Sequence, residues 1–191
     1  MRLFVALEIP AAVRENLATL VKELSALSSQ VPGKRPHWVR PENLHVTLKF
    51  IGEVANAKLE GIRGALSEVR SSAPVEMDFR GLGFFPNDKR PRVLWAGLKA
   101  SPNLPAVAAD VDRALETQGF AREQRAFAPH LTLARFEPSG MHEKLRAAIR
   151  KRAELEFGSC QASEFHLIES KLKPSGAEYT ALASFPFTPE P

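Results

Sequence analysis

Two short segments of this chain each place a histidine and a threonine two residues apart. The segments are His45-Val46-Thr47-Leu48 and His130-Leu131-Thr132-Leu133. An imidazole takes up or releases a proton near neutral pH, and a hydroxyl donates a hydrogen bond to an oxygen that gains negative charge. Two histidines on opposite sides of a phosphorus atom could move the two protons that an in-line displacement requires. The paired segments therefore predict acid–base catalysis at a phosphate ester.

The spacing within each segment fits a strand. Because successive side chains of a strand point to opposite faces, His45 and Thr47 share one face while Val46 points into the core. The same alternation places His130 and Thr132 together on the second strand. If the two strands lie side by side, two imidazoles and two hydroxyls line one cleft.

The hydrophobic pattern predicts the elements that must position these strands. Strands are predicted over 2–8, 44–54, 75–85, 92–98, 128–136, 160–169 and 179–185, and helices over 13–27, 58–69, 104–118 and 141–155. This order favours an α+β fold with two similar lobes, mainly antiparallel sheets facing a central cleft, and helices on the outside. We expect a single bilobal domain over residues 1–191, with one motif (45–48 or 130–133) in each lobe.

Composition excludes several classes of protein. The 191 residues are 44% hydrophobic and 25% charged, which is typical of a globular protein and not of a disordered one. The single cysteine, Cys160, excludes an internal disulfide framework and a multi-cysteine zinc site. There is no apolar run of the ~18–20 residues that a membrane span needs, and the first ten residues do not resemble a signal peptide. We expect a cytoplasmic protein with no membrane partner.

The charge of the chain favours a polyanionic partner. The net charge is +4, and most of the 26 cationic side chains are arginines, whose planar fork can clamp a phosphate. Two basic segments, 34–40 with Trp38 and 89–92, could contact a polyanionic chain, and Trp38 offers an aromatic face for stacking. The alternative is that both are solvated turns and that Trp38 packs in the core. Two histidines do not complete a zinc site, so we expect no metal and no cofactor.

The two motifs resemble those of the two-histidine (2H) phosphoesterases, and the chain as a whole is similar to the RNA 2′,3′-cyclic phosphodiesterase branch, formerly called 2′-5′ RNA ligase. The resemblance extends over nearly the full length. It includes the segments 2–6, 38–44, 49–53, 90–97 and 134–136, together with Glu169, Ser170 and Tyr179.

This resemblance implies a bilobal fold and metal-independent opening of a 2′,3′-cyclic phosphate at an RNA 3′ end, which leaves a 2′-phosphate. It also implies roles for individual residues. His45 would be the proton donor to the departing 3′ oxygen, and His130 the proton acceptor that activates water. Thr47 and Thr132 would hold the phosphate oxygens, and Arg135 would add a cationic contact. Small cyclic nucleotides are a further ligand class.

Two other functions stay open at this point. Ligation of RNA ends through 2′-5′ linkages would use the same groups as hydrolysis. A non-catalytic RNA- or nucleotide-binding module would keep the cleft as a phosphate pocket, although binding alone needs no matched acid and base. The sequence contains no sign of an obligate dimer, so we expect a monomer.

Overall fold

The structure is a computed structural model that describes residues 1–30, 35–137, 141–174 and 176–187. Its strands form two antiparallel sheets. Sheet one has the order β3 (His45–Glu53), β1 (Arg2–Glu8), β8 (Glu164–Lys173) and β9 (Gly176–Pro186). Sheet two has the order β2 (His37–Trp38), β6 (His130–Arg135), β5 (Val93–Ala100), β4 (Val75–Phe85) and β7 (Glu156–Ala162). The expected α+β class with two antiparallel sheets is confirmed.

Four α-helices accompany the sheets in the described part of the chain. They are α1 (Ala11–Ser29), α2 (Leu59–Leu66), α3 (Asn103–Glu116) and α4 (Glu143–Arg150). Helix α1 packs against β7 and α4, and α3 packs against α2 and β3. The buried face of α1 consists of apolar side chains at the three-and-four spacing of an amphipathic helix, from Val13 through Leu17 to Leu24.

The order of the predicted elements had suggested one sheet for each half of the sequence. The two sheets do not correspond to these halves. Sheet one joins the first strands of the chain, β1 and β3, to its last strands, β8 and β9. Sheet two is built mainly from the middle of the chain. The N-terminal strand can pair with C-terminal β8 because antiparallel pairing requires only that the strands be adjacent in space.

Some predicted boundaries were wrong near the C-terminus. The single strand predicted over 160–169 is two strands, β7 and β8, and the helix predicted over 141–155 is the shorter α4. His142 defines the start of α4, because its Nδ1 accepts a hydrogen bond from the Leu145 backbone N–H at 3.1 Å. A side-chain cap of this kind satisfies a backbone donor that the first turn of a helix leaves free.

The core explains why β1 is a continuous apolar run. This strand lies inside its sheet, between β3 and β8, and its side chains are buried on both faces from Leu3 to Leu7. Leu3, Val5 and Leu7 belong to the main core, which extends through both sheets. Phe4 and Ala6 point the other way and form a smaller cluster with Ile168. The second cluster lies on the side of sheet one that carries the first motif.

In the described residues, no helix combines the length and the apolar composition that a membrane span would need.

Candidate active site

The two motif strands lie next to each other. Strand β3 is the end strand of sheet one, and β2 covers only the last two residues of β6, Ala134 and Arg135. The first part of β6, which includes His130 and Thr132, is therefore not covered by β2. Strands β3 and β6 are in contact. His45, Thr47, His130 and Thr132 line one cleft with a volume of about 460 Å³.

The expected alternation of side chains is confirmed for the first three residues of each motif. Val46 and Leu131, between the histidine and the threonine, are completely buried. The histidines and threonines are half-buried and open into the cleft. Strand geometry alone thus places the four polar side chains on one surface.

Both imidazoles are held in the same way. Nδ1 of His45 lies 2.7 Å from the backbone carbonyl oxygen of Asn43, and Nδ1 of His130 lies 2.7 Å from that of Ala128. A carbonyl oxygen only accepts, so Nδ1 carries the hydrogen and donates in each pair. The second ring nitrogen, Nε2, is left to exchange a proton with a ligand. Each histidine is therefore tied, through its own backbone two residues earlier, in the tautomer that proton transfer requires.

The cleft is suited to an anion. The hydroxyls of Thr47 and Thr132 have no hydrogen-bond partner among the described residues, so both are free to donate to a ligand. Arg2 and Arg135 also line the cleft, and neither pairs with a carboxylate in the described part of the chain. The lining side chains from the described residues include no Asp or Glu. Positive charge and free donors without a competing carboxylate favour phosphate binding.

A β-bulge after each threonine moves one more residue into the cleft. In the pairing of β1 with β3, Val5 is opposite Lys49 and Ala6 is opposite Thr47, so Leu48 has no partner. In the pairing of β5 with β6, Leu133 is passed over in the same way. The extra residue reverses the alternation beyond it.

The bulges have matching consequences in the two strands. Lys49 and Ala134, four residues after each histidine, are buried. Phe50 and Arg135, five residues after each histidine, line the cleft. Strict alternation predicts the core face for both, so strand periodicity alone could not have found Phe50, whose side chain is 65% exposed.

Aromatic rings support each imidazole. The rings of Phe4 and Tyr179 lie 4.6 Å and 5.4 Å from that of His45 between centroids. The ring of Phe85 lies 4.9 Å from that of His130. These aromatic contacts come from neighbouring strands, so the pattern of each motif does not predict them.

The surroundings of the cleft shift two pKa values. Burial lowers the pKa of His45 below 6.5; the Asn43 carbonyl opposes this shift, and the nearby charge of His130 adds to it. Burial raises the pKa of the Tyr179 phenol, against the influence of Arg135 and Arg2. In the free protein, His45 is therefore held in its neutral form more strongly than an exposed histidine would be.

A family model for LigT-like phosphoesterases matches residues 7–95 and 98–179 of this chain, which include both motifs. The chain belongs to the LigT-like phosphoesterases. Proteins named RNA 2′,3′-cyclic phosphodiesterase are similar to it over nearly their full length. The one from Archaeoglobus fulgidus is 38% identical over 97% of this chain and 99% of its own. The one from Methanothermobacter thermautotrophicus is 33% identical over 97% of this chain and 98% of its own.

Solved structures with the same fold agree with this assignment. The crystal structure of TT0787 from Thermus thermophilus matches with a TM-score of 0.79 at 28% identity, over 98% of both chains. The E. coli LigT structure complexed with 3′-AMP matches with a TM-score of 0.76 at 25% identity, again over 98% of both chains. The membership in the two-histidine phosphoesterases expected from the sequence is confirmed.

Several residues singled out in the sequence lie outside the cleft of this LigT-like phosphoesterase. Trp38 packs against the main core and does not line the cleft, so its alternative interpretation as a core residue is the one the structure supports. Lys34 lies outside the described residues. The basic segment 89–92 lines a separate cavity. His166 is buried and lies 3.0 Å from the Ser184 hydroxyl, which makes it structural.

The structure brings together no metal-ligand set. In the ranges that it describes, there is no group of three or more His, Cys, Asp and Glu side chains that could hold an ion.

Proposed function

We propose that this chain hydrolyses 2′,3′-cyclic phosphodiester ends of RNA to 2′-phosphomonoesters by acid–base catalysis with its two motif histidines. The observation that carries this proposal is the matched pair of imidazoles, each with Nδ1 tied to a carbonyl and Nε2 left free in one cleft. The family, and the name that its full-length relatives share, supply the substrate class.

The reaction needs one proton removed and one delivered. His130 acts as the proton acceptor: its Nε2 takes a proton from water as the water oxygen forms a bond to phosphorus. His45 acts as the proton donor: its Nε2–H protonates the 3′ oxygen as the bond from that oxygen to phosphorus breaks. The product carries a 2′-phosphate and a 3′-hydroxyl, and the pair of rings ends with its proton transferred from one to the other.

The remaining cleft residues hold the phosphate. Thr47 and Thr132 donate hydrogen bonds to the two oxygens that stay on phosphorus, and Arg135 adds a charge-assisted contact. Since their hydroxyls have no partner in the described part of the protein, the threonines give up no existing hydrogen bond when the substrate enters.

The charge of the substrate sets the protonation state of the donor. Burial and the nearby His130 lower the pKa of His45 in the free protein. A phosphodiester anion between the rings favours the protonated form of His45, because it supplies the opposite charge. The donor is thus charged by the substrate it acts on, which links binding to the start of the reaction.

The same groups could join RNA ends through a 2′-5′ linkage, with a hydroxyl of a second RNA in place of water as the nucleophile. Water at ~55 M competes with any RNA acceptor that the protein does not hold in place, so hydrolysis is the favoured direction. A monomeric state and a cytoplasmic location stay predictions.

The experiment is hydrolysis of an RNA oligonucleotide with a 2′,3′-cyclic phosphate, in EDTA, with the isomer of the product identified by chromatography. We expect the 2′-phosphate, and a loss of about 10²–10⁴-fold in His45→Ala and in His130→Ala. His142→Asn is the matched control, since it replaces a histidine outside the cleft with another good N-cap residue. A 3′-phosphate product, or full activity of either cleft variant, would overturn the proposal.

A further inference from the structure

A second cavity, of about 570 Å³, lies between the turn that joins β4 to β5 and the start of α4. Its lining consists of Pro86, Lys89, Arg90, Pro91, Arg92, Met141 and Arg146. We call this cavity the basic pocket. The proposed reaction uses none of these residues.

The turn at the basic pocket is held in a fixed shape. The Asn87 side-chain oxygen accepts hydrogen bonds from the backbone N–H groups of Lys89 at 3.0 Å and Arg90 at 3.1 Å. The Asp88 carboxylate binds Arg146 at 2.6 Å and Arg150 at 2.5 Å, both on α4. These contacts fix the tip of the turn against the helix and place its cations before any ligand arrives.

Charge in this region is unevenly balanced. Asp88 and Glu143 are the carboxylates that pair with Arg146 and Arg150. Within the described residues, the side chains of Lys89, Arg90 and Arg92 have no carboxylate partner. All three are exposed. An uncompensated cluster with two arginine forks is suited to phosphate oxygens.

The basic pocket lies at the end of β5 that is next to Arg135 of the cleft. The carbonyl oxygen of Arg92 accepts a hydrogen bond from Phe136 N–H at 2.8 Å, and Val93 is the cross-strand partner of Arg135, which lines the cleft. Along β5, the partner of His130 is Gly97. Gly97 lies four positions along the strand from Val93, a distance of about 13 Å. Arg135 in the cleft and Arg92 at the basic pocket thus lie at the same end of sheet two.

We infer that the basic pocket binds backbone phosphates of the RNA chain on the 5′ side of the reacting nucleotide. This inference rests on the proposed function, since a cyclic phosphate at a 3′ end leaves the rest of the RNA on the 5′ side. An RNA chain fits two phosphate sites near each other, because its phosphates repeat along one strand and separate cationic sites can bind successive ones.

Binding tests the inference without turnover. The probe is a 5′-labelled RNA oligonucleotide that ends in a 2′-phosphate, with anisotropy measured across a range of KCl concentrations. In a triple variant with Lys89→Gln, Arg90→Gln and Arg92→Gln, we expect affinity at low salt to fall at least about tenfold. We also expect the log–log salt slope to become shallower by about 2, since each single-strand phosphate contact contributes about 0.7. The control carries Lys22→Gln, Lys99→Gln and Arg113→Gln, which remove the same charge at exposed positions outside both cavities.

Turnover separates this subsite from the reaction itself. A nucleoside 2′,3′-cyclic phosphate does not reach the basic pocket, so the pocket variant is expected to hydrolyse it like the wild type while losing kcat/KM on the oligonucleotide. Unchanged RNA affinity and salt slope in the pocket variant would overturn the inference, as would equal losses on both substrates. If the wild type hydrolyses no cyclic phosphate, the proposed function fails, and the binding comparison still decides whether the basic pocket holds RNA.

Discussion

Phe85 stands edge-on to His130, with the ring centroids 4.9 Å apart and the ring planes at 78°. Phe85 in turn lies against Trp95, with 5.4 Å between ring centroids. The Trp95 ring covers Gly83 so closely that a Cβ on this glycine would lie 2.1 Å from it. The orientation of the His130 ring is therefore set by a stack of rings that begins at a glycine.

Gly83→Ala tests this stack. The added methyl group must displace the Trp95 ring, and Phe85 and His130 would shift with it. We expect kcat to fall about tenfold or more, because small displacements of a catalytic group are costly. The readout is the NMR signal of His130 together with kcat. Gly64→Ala is the control, since nothing lies within 4 Å of a Cβ there and alanine favours the helix. An unmoved His130 signal in Gly83→Ala would show that the stack does not position the ring.

The lowered pKa of His45 gives a second prediction. Histidine NMR signals followed against pH should give His45 a pKa below 6.5 in the free protein. In His130→Gln this pKa should rise, because the nearby charge that lowers it is removed. A pKa of His45 that does not change in His130→Gln would mean that the two rings do not interact.

The same pKa makes stability depend on pH. The unfolded chain takes up a proton at His45 more readily than the folded protein does. The contribution of neutral His45 to the free energy of unfolding is therefore complete above pH 6.5. It is lost as the pH falls through the lowered folded value. Urea unfolding of the wild type and of His45→Gln across this range should show a smaller loss in the variant.

Phe50 provides an exposed aromatic face on the cleft, which we expect to stack on the base of the terminal nucleotide. Such stacking is worth about 1–3 kcal/mol per base. Phe50→Ala should therefore lower kcat/KM about 5–150-fold, while Phe50→Tyr should keep kcat/KM close to that of the wild type. Leu172→Ala is a control for exposed apolar area, because Leu172 lines the same cleft and is 75% exposed. Equal effects of Phe50→Ala and Leu172→Ala would contradict a stacking role.

A buried ion pair connects the first motif strand, β3, to helix α3. Lys49, with its side chain 6% exposed, contacts Asp112 of α3 and donates to the Ala121 carbonyl at 2.8 Å. Asp112→Ala leaves the ammonium group buried without its partner, at a cost of about 3–5 kcal/mol. Lys49→Met should lower the stability less, because the Asp112 carboxylate still has the Arg122 side chain 3.7 Å away as a partner.

Urea unfolding measures both variants and the double variant, Lys49→Met with Asp112→Ala. We expect the double variant to be more stable than Asp112→Ala alone, since no unpaired charge is left in the interior. A double variant as unstable as the sum of both single ones would show that the pair stabilises through packing and not through charge.

The orientation of the motif residues could be predicted from the sequence because it follows from strand geometry. Every second residue of a strand points to the same face, and His45 and Thr47 follow this period of two. The identity of the strands that flank each motif could not be predicted in this way. Pairing between β1 and β8 joins residues from opposite ends of the chain, and no local pattern encodes it.

The residues that sequence analysis missed depend on irregular backbone. The bulges at Leu48 and Leu133 bring Phe50 and Arg135 into the cleft, and a periodic pattern does not reveal where a bulge occurs. Arg135 was found through family resemblance alone. The carbonyl groups of Asn43 and Ala128 were missed for a related reason, since every residue has a carbonyl and only the fold shows which one faces an imidazole.

The central claim is that His45 gives a proton and His130 takes one at a single phosphorus atom. The most direct measurement is kcat/KM against pH on a cyclic-phosphate oligonucleotide, for the wild type and both alanine variants. We predict a bell-shaped profile for the wild type, residual activity without the alkaline limb in His45→Ala, and residual activity without the acidic limb in His130→Ala. A profile that stays bell-shaped in either variant would contradict the account. So would loss of the acidic limb in His45→Ala or of the alkaline limb in His130→Ala.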